Sequence, residues 1–273
     1  MNSPKLLGIV NITEDSFSDG GRYLDTAAAI AAARRLVADG ADVIDLGAAA
    51  SNVAAKPVPP EDEIRRLEPV IAALQADGIA ISVDSFAPET QRFALHCGVD
   101  FLNDIQGFPD PALYPVLAAA RCRLVVMHAV QGRGRAQQVA LPAAEIWSRI
   151  EEFFAARIPA LETDGIGRDR LILDPGMGFF LSSDATASLC VLARLDRLKR
   201  RFGVPVLVSV SRKSFLGAVT GHREPGALGP ATLAAELYAA AKGADFIRTH
   251  DPGALRDALK VMAALDAENG PTR

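Results

Sequence analysis

Residues 171–180 read Leu-Ile-Leu-Asp-Pro-Gly-Met-Gly-Phe-Phe, and this stretch guides the interpretation of the whole chain. Its three apolar residues are typical of a short buried strand, which ends at Asp174 where Pro175 and Gly176 begin a turn. A carboxylate therefore follows a buried strand, and the loop after it carries two aromatic residues. In parallel α/β folds, ligands bind at this end of the strands. A turn aspartate can also cap the next helix, but the same layout recurs along the chain with other polar residues.

The chain alternates between short apolar segments and longer segments with helical periodicity. Strands are predicted at residues 5–11, 42–47, 80–84, 101–103, 123–128, 171–174, 206–211 and 245–250. Helices are predicted at residues 27–39, 61–77, 88–96, 111–120, 142–164, 184–201, 228–242 and 253–268. The segment 130–141 is expected to be an exposed loop after the fifth strand. The strands alternate little between polar and apolar residues, which is typical of a parallel sheet covered on both faces.

Glycines mark six of the junctions between a helix and the next strand. They are Gly40, Gly78, Gly98, Gly165, Gly203 and Gly243, and each lies where a left-handed residue would end the helix. Eight such βα units in about 250 residues predict an α/β fold, a (β/α)8 TIM barrel that forms a single domain over residues 1–273. A doubly wound open sheet is the alternative, but no Gly-x-Gly-x-x-Gly motif follows the first strand.

Composition narrows the classes of function. A net charge of −4 and a pI near 5.6 argue against nucleic acid or a membrane surface as the main partner. No apolar run reaches the roughly 18 residues of a membrane helix, and the first residues show no signal-peptide pattern, so a cytoplasmic location is expected. Cys97, Cys122 and Cys190 lack metal or redox spacing and are expected to be reduced thiols.

Polar residues end nearly every predicted strand. They are Asn11, Asp45, Asp84, Asn103, His128, Asp174, Lys213 and His250, with Arg248 two residues before the last. A barrel brings these positions to one face. Any single one could cap a helix or satisfy a core hydrogen bond. Together they indicate a site, because many unpaired polar groups at one buried edge are costly without a ligand.

The chemistry of these residues divides them into two groups. The first group is Asp84, Asn103, Asp174 and Lys213. It suits a flat, nitrogen-rich heterocycle, since a carboxylate accepts two parallel hydrogen bonds from a guanidine-like edge. Asn11, Arg248 and His250 suit an anion together with Mg²⁺, which prefers hard oxygen ligands and often shares them with phosphates. The sequence has no Walker loop, no Cys/His zinc spacing and no Gly-x-Ser-x-Gly elbow.

Seven motifs occur in the order found in dihydropteroate synthases. Residues 8–21 read Gly-Ile-Val-Asn-Ile-Thr-Glu-Asp-Ser-Phe-Ser-Asp-Gly-Gly, which resembles the opening signature of that family. The later motifs are Ser-Val-Asp-Ser at 82–85, Asn-Asp-Ile at 103–105, Val-Met-His at 126–128, Asp-Pro-Gly-Met-Gly-Phe at 174–179, Ser-Arg-Lys-Ser at 211–214 and Arg-Thr-His at 248–250. The resemblance spans nearly the whole chain. It implies a (β/α)8 fold, usually dimeric, that joins 6-hydroxymethyl-7,8-dihydropterin diphosphate to p-aminobenzoate, giving dihydropteroate and pyrophosphate in folate synthesis.

The resemblance also implies roles for individual residues. Those expected to hold the pterin are Asp84, Asn103, Asp174 and Lys213, with Met127 lining the pocket. Those expected at the diphosphate and Mg²⁺ are Asn11, Arg248 and His250, with Asn11 as the metal ligand. Those expected to border the p-aminobenzoate are Phe179, Lys213 and Ser214, with Phe180 and Ser51 also placed at the substrates. The expected catalytic set is Asp84, Asp174, Lys213, Arg248 and His250.

Two loops depart from the usual family pattern. The loop after the second strand usually reads Gly-Glu-Ser-Thr-Arg-Pro-Gly, whereas residues 48–54 read Ala-Ala-Ala-Ser-Asn-Val-Ala, so Asn52 replaces an arginine. The loop after the sixth strand usually continues Gly-Phe-Gly-Lys, whereas residues 178–181 read Gly-Phe-Phe-Leu. Both departures resemble the sulfonamide-insensitive branch of the family. A bulky Phe180 near the end of the aminobenzoate site is expected to exclude a sulfonamide and to spare the substrate.

Two other functions compete with the synthase. A pterin-binding methyltransferase that passes a methyl group to a corrinoid protein shares the fold, but is not expected to carry residues 211–214 together with 248–250. A non-catalytic pterin-binding protein is the second alternative. The missing loop arginine favours it, and the retained Asn11, Arg248 and His250 argue against it.

Overall fold

Eight parallel strands form the centre of the computed structural model, which describes residues 3–13, 25–50, 56–132, 134–222 and 224–268. The strands are β1 (Lys5–Asn11), β2 (Val43–Gly47), β3 (Ile81–Asp84), β4 (Phe101–Asp104), β5 (Arg123–Met127), β6 (Leu171–Asp174), β7 (Leu207–Val208) and β8 (Phe246–Thr249). Their order is β6-β5-β4-β3-β2-β1-β8-β7, and a parallel bridge between Leu173 and Val206 joins the two ends into a nearly closed barrel. The predicted (β/α)8 barrel is confirmed, and the open doubly wound sheet is excluded.

Seven strands lie within one residue of their predicted bounds at each end, and β7 is the exception. The prediction was 206–211, but the ladder contains only Leu207 and Val208. Val210 O already accepts a hydrogen bond from Lys213 N at 3.2 Å, so the chain has turned toward the next helix. The shortening of β7 therefore places residues 211–213 on a loop before α8.

The helices between strands are α1 (Thr26–Ala38), α2 (Pro60–Ala76), α3 (Pro88–Cys97), α4 (Tyr114–Ala119), α5 (Ala143–Thr163), α6 (Ala185–Ala193), α7 (Asp196–Phe202), α8 (Ser214–Thr220), α9 (Gly229–Ala241) and α10 (Pro252–Glu268). Six agree with prediction within one residue. The predicted helix 111–120 begins with a 3-10 turn, and α8 was not predicted. The predicted helix 184–201 divides at Arg194, which lets Leu195 and Leu198 turn into the core.

The six junction glycines all have positive φ, between 63° and 105°, as the helix-ending role requires. At the amino ends of the strands, Phe101 and Phe246 pack edge to face with centroids 6.0 Å apart. The guanidinium of Arg123 lies 4.9 Å from the Phe246 ring centroid. This end of the barrel is therefore packed, and the polar residues gather at the other end, the carboxyl face.

The segment 130–141 was predicted to be exposed, and this is wrong for much of it. Val130 N donates to Phe180 O at 2.9 Å, and Ser183 N donates to Val139 O at 2.8 Å. Ala136 is only 6% exposed. The segment therefore packs against the loop after β6. Within the described ranges, no helix is both long and apolar enough to cross a membrane, and the three cysteines are free.

Candidate active site

The carboxyl face holds an ion-pair cluster around Arg248 of β8. Arg248 Nε donates to Asp45 Oδ2 at 2.5 Å, and Nη2 donates to Asp84 Oδ2 at 2.9 Å. The Asp45 side chain is completely buried, while those of Arg248 and Asp84 are 16% and 17% exposed. Burial opposes the charged guanidinium, yet Asp45 and Asp84 raise the pKa of Arg248 above its usual value. Arg248 is thus a fixed cation that two carboxylates hold in place.

Asp174 and Lys213 are close enough to influence each other's charge, and a hydrogen bond from Lys213 joins the loops after β6 and β7. Asp174 Oδ1 accepts a hydrogen bond from Gly176 N at 2.8 Å, and Lys213 Nζ donates to Met177 O at 3.1 Å. Gly176 has φ 75°, and a Cβ there would lie 2.4 Å from His128 O, so this turn requires glycine. Burial raises the pKa of Asp174 to about 6 against the influence of Lys213. Burial lowers the pKa of Lys213 to about 8 against the influence of Asp174.

Asp84 and Asn103 lie side by side at the ends of β3 and β4, where they are register partners. Burial raises the pKa of Asp84 to about 7, and the positive charge of Arg248 opposes this shift. Asn103 is 4% exposed, and its buried Oδ1 has no hydrogen-bond partner among the described residues. A buried acceptor without a partner costs about 1–3 kcal/mol. Asn103 therefore suits a ligand that supplies the missing donor.

Asn11 ends β1 in the same row. The register joins Asn11 to Gly47, Gly47 to Asp84, and Asp84 to Asn103 across four strands. A Cβ at Gly47 would lie 3.4 Å from Asn11 Oδ1, so the glycine leaves room beside this amide. The row therefore brings Asn11 of the expected anion group level with Asp84 and Asn103 of the expected pterin group.

The loop 211–213 and the end of β8 are joined by hydrogen bonds. Ser211 Oγ lies 2.9 Å from His250 Nδ1, and His250 N donates to Ser211 Oγ at 3.2 Å. Burial lowers the pKa of His250 to about 3, with Arg212, Arg248 and Lys213 adding to the effect. His250 is therefore neutral at pH 7 and can contribute a hydrogen bond, whereas positive charge comes from Arg248 and Lys213.

An apolar cluster lies next to Lys213 on the same face. Its buried members are Ile105, Met127, Ala129, Ala136 and Phe180, with Phe86 and Phe179 partly buried. Lys213 Nζ lies 5.2 Å from the centroid of the Phe180 ring. Phe180 is 8% exposed, so it fills space beneath the loop, and the half-buried Phe179 is the aromatic side chain closer to solvent. Ser214 is exposed at the start of α8.

The structure revises the sequence-based grouping. Arg248 was assigned to the anion, Asp84 to the heterocycle, and Asp45 to neither; the three form one cluster. The signal for Asp45 was a charge inside the otherwise apolar strand β2. His128, predicted at the end of the fifth strand, is buried at 3% exposure. Its Nδ1 lies 3.1 Å from Pro175 O, so it supports the loop after β6. Ser51 and Asn52 lie outside the described residues.

The residues present fit Mg²⁺ only as an ion shared with a substrate. Among the described residues, no three His, Cys, Asp or Glu side chains form a metal-binding group. Asn11 offers one hard oxygen with space beside it at Gly47. Mg²⁺ is commonly held by one or two protein oxygens together with phosphates. A phosphate-bearing substrate and Asn11 would together meet that requirement.

Comparison with known proteins agrees with this geometry. The profile of the family described as pterin binding enzyme matches residues 7–250. Dihydropteroate synthase type-2 from Escherichia coli is 62% identical over 260 residues, which cover 95% of each chain. The dihydropteroate synthase of Xanthomonas albilineans, solved with 4-aminobenzoic acid, is 38% identical with a TM-score of 0.88 and covers 97% of this chain and 94% of that one. The Yersinia pestis dihydropteroate synthase, in complex with a sulfonamide drug, is 30% identical with a TM-score of 0.88 and covers 97% and 95%. The chain therefore belongs to the dihydropteroate synthase family of pterin-binding enzymes.

Proposed function

We propose that the chain is a dihydropteroate synthase, which condenses 6-hydroxymethyl-7,8-dihydropterin diphosphate with p-aminobenzoate to give 7,8-dihydropteroate and pyrophosphate. The observation that carries this proposal is the 2.9 Å ion pair between Arg248 and Asp84. It joins a residue expected at the diphosphate to a residue expected at the pterin. The bond to be broken in such a substrate lies between these two ends, so both can act on it at once.

The proposed reaction is dissociative. The bond between the pterin methylene carbon and the diphosphate oxygen breaks first, and the electron pair leaves with the diphosphate. Arg248 stabilises the growing negative charge, and the neutral imidazole of His250 adds a hydrogen bond. The carboxylates of Asp84 and Asp174 stabilise the positive charge left on the pterin. The amine of p-aminobenzoate then attacks the carbon and loses a proton, and no residue acts as a covalent nucleophile.

We propose roles for the remaining residues of the site. Asn103 offers its unpaired Oδ1 to a pterin N–H, and Met127 lines the apolar side of that pocket. Lys213 lies near Asp174 and 5.2 Å from the Phe180 ring centroid, where the aminobenzoate would bind with Phe179 and Ser214. Asn11 would hold Mg²⁺, which when bound supplies a further positive charge for the leaving diphosphate.

A pyrophosphate-release assay tests the proposal directly. The pterin diphosphate should release pyrophosphate with p-aminobenzoate present, and mass spectrometry should find dihydropteroate. Absence of turnover despite tight pterin binding would support the non-catalytic alternative. Methyl transfer from a methylfolate to a corrinoid protein would support the methyltransferase alternative. A trapped covalent enzyme–pterin adduct would contradict the dissociative route.

We also propose that the enzyme is insensitive to sulfonamides. The support is the Phe179–Phe180 pair: the buried Phe180 belongs to the apolar cluster that contains Met127, its ring centroid lies 5.2 Å from Lys213 Nζ, and it adds bulk to the loop that also carries Phe179. p-Aminobenzoate ends in a small planar carboxylate. A sulfonamide ends in a tetrahedral sulfur with a further ring, which must pass this loop and would collide with it.

A homodimer, a single domain over 1–273 and a cytoplasmic location complete the proposal. Apolar side chains on the outer faces of α9 and α10 support the dimer: Tyr238, Val261 and Leu265 are 45%, 59% and 55% exposed. Exposed apolar groups gathered in one patch are typical of protein interfaces. Light scattering should give twice the chain mass of 28.8 kDa. The double variant Val261→Glu with Leu265→Glu should be a monomer, with a measured mass equal to that of one chain.

A further inference from the structure

Two pterin residues are each followed by a polar residue that the proposed mechanism does not use. Ser85 follows Asp84, and Asp104 follows Asn103. Both are buried, at 4% and 1% exposure, although a serine and an aspartate are usually found at the surface. Buried polar groups must find partners. The partners here come from the helix layer outside the barrel.

Ser85 is held through all of its polar atoms. Its hydroxyl donates to Glu63 Oε2 of α2 at 2.7 Å and accepts from Ala87 N at 3.2 Å. Its backbone N donates to Asn103 O at 3.1 Å, and its backbone O accepts from Gln91 Nε2 of α3 at 2.8 Å. The position of the residue directly after Asp84 is therefore determined by two helices and by the neighbouring strand.

Asp104 is held in the same way by the second donor contact of Gln91. Gln91 Nε2 lies 3.0 Å from Asp104 Oδ2, so a single amide nitrogen joins the ends of β3 and β4. Asp104 also accepts from Gln106 N at 2.7 Å and from Phe108 N at 2.9 Å. These bonds close the turn after β4, where Phe108 has the left-handed φ of 58°.

Asp84 and Asn103 themselves have few contacts that could hold them. Asp84 pairs with Arg248, and Asn103 Oδ1 has no partner among the described residues. Their direction therefore depends on the backbone beside them, which the Ser85 and Asp104 bonds define. Glu63 and Gln91 are 3% and 2% exposed and lie behind that backbone.

We propose that Glu63 and Gln91 are positioning residues for pterin recognition. Glu63 fixes Ser85, and Gln91 fixes Ser85 and Asp104 together. The two acceptors on Asp84 and Asn103 are thereby kept at the spacing that a pterin edge requires. This inference rests on the proposed function, because it takes Asp84 and Asn103 as the pterin ligands.

The test measures binding of 6-hydroxymethylpterin by calorimetry, together with steady-state kinetics and the melting temperature. Gln91→Leu keeps the approximate size and removes the amide. It should weaken pterin binding about tenfold, since small displacements of binding groups have large effects, and leave the KM for p-aminobenzoate within about twofold. Gln75→Leu is the matched control, because Gln75 Nε2 donates to the backbone Cys97 O at 2.7 Å at the other end of α2 and α3. It should bind the pterin like the wild type.

Three further variants separate an effect on positioning from a folding defect. Glu63→Gln keeps an acceptor for the Ser85 hydroxyl and should restore most of the pterin affinity that Glu63→Leu loses. Ser85→Ala removes only one hydroxyl and should weaken binding about threefold to tenfold. Lower melting temperatures with unchanged pterin affinity in all of these variants would overturn this inference and leave the proposed function intact. A wild-type protein that binds no pterin would overturn the proposed function as well.

Discussion

Replacing Asp45 by asparagine should weaken both the fold and the diphosphate site. Asp45 is fully buried and accepts from Arg248 Nε at 2.5 Å. Removing one charge of a buried pair costs about 3–5 kcal/mol when the other charge is left alone. Here Arg248 keeps Asp84 at 2.9 Å as a partner, so the free energy of unfolding is expected to fall by about 2–3 kcal/mol.

Calorimetry and steady-state kinetics measure the two consequences. A loss of 2–3 kcal/mol should lower the melting temperature by about 5–10 °C. Arg248 should move toward Asp84, so the KM for the pterin diphosphate should rise about tenfold, while pyrophosphate as a product inhibitor should bind more weakly. Asp42→Asn is the control, because Asp42 pairs with Arg256 at 2.6 Å at the other end of β2 and is 38% exposed. Asp42→Asn should lower the free energy of unfolding by about 0–1 kcal/mol and leave the KM for the pterin diphosphate unchanged.

Two results would refute this reasoning. If Asp45→Asn melted and turned over like the wild type, the cluster would not position Arg248. If stability fell and the KM for the pterin diphosphate did not change, Asp45 would serve the fold alone.

Three further predictions concern pH, binding and the drug. The kcat/KM for the pterin diphosphate should depend on pH with a bell-shaped profile. Asp174 and Asp84, with pKa raised to about 6 and about 7, lose their charge in acid, and Lys213, with pKa lowered to about 8, loses its charge in alkali. A profile flat from about pH 5 to 9 would contradict this prediction. Lys213→Ala should weaken pterin binding and transfer severely, and Asn52→Ala only mildly, as measured by titration calorimetry and steady-state kinetics. Equal large losses in both variants would mean that the loop after β2 binds the diphosphate. Phe180→Gly should increase the affinity for a sulfonamide about a hundredfold, a difference in binding free energy of about 3 kcal/mol. Inhibition of the wild type by sulfamethoxazole at a concentration close to the KM for p-aminobenzoate would contradict the proposed clash.

Much of the fold followed from local patterns in the sequence. The junction glycines marked helix ends because only glycine adopts positive φ without strain, and all six have it. The short apolar segments placed seven strands within one residue. The failures occurred where tertiary contacts override local preference. The helix 184–201 breaks so that Leu195 and Leu198 reach the core, and β7 ends early because the chain turns at Val210.

The sequence by itself determined which chemical groups reach the carboxyl face, because the alternation of strand and helix is a local property and a parallel barrel brings all its strand ends together. Only the tertiary structure decided how those groups pair. Asp45 and Arg248 are separated by 203 positions, and nothing in either neighbourhood shows that one holds the other. The burial of Phe180 and the joint contact of Gln91 with Ser85 and Asp104 likewise appear only on folding. Pairing depends on distance in space, which the closed barrel creates and the order of residues does not express.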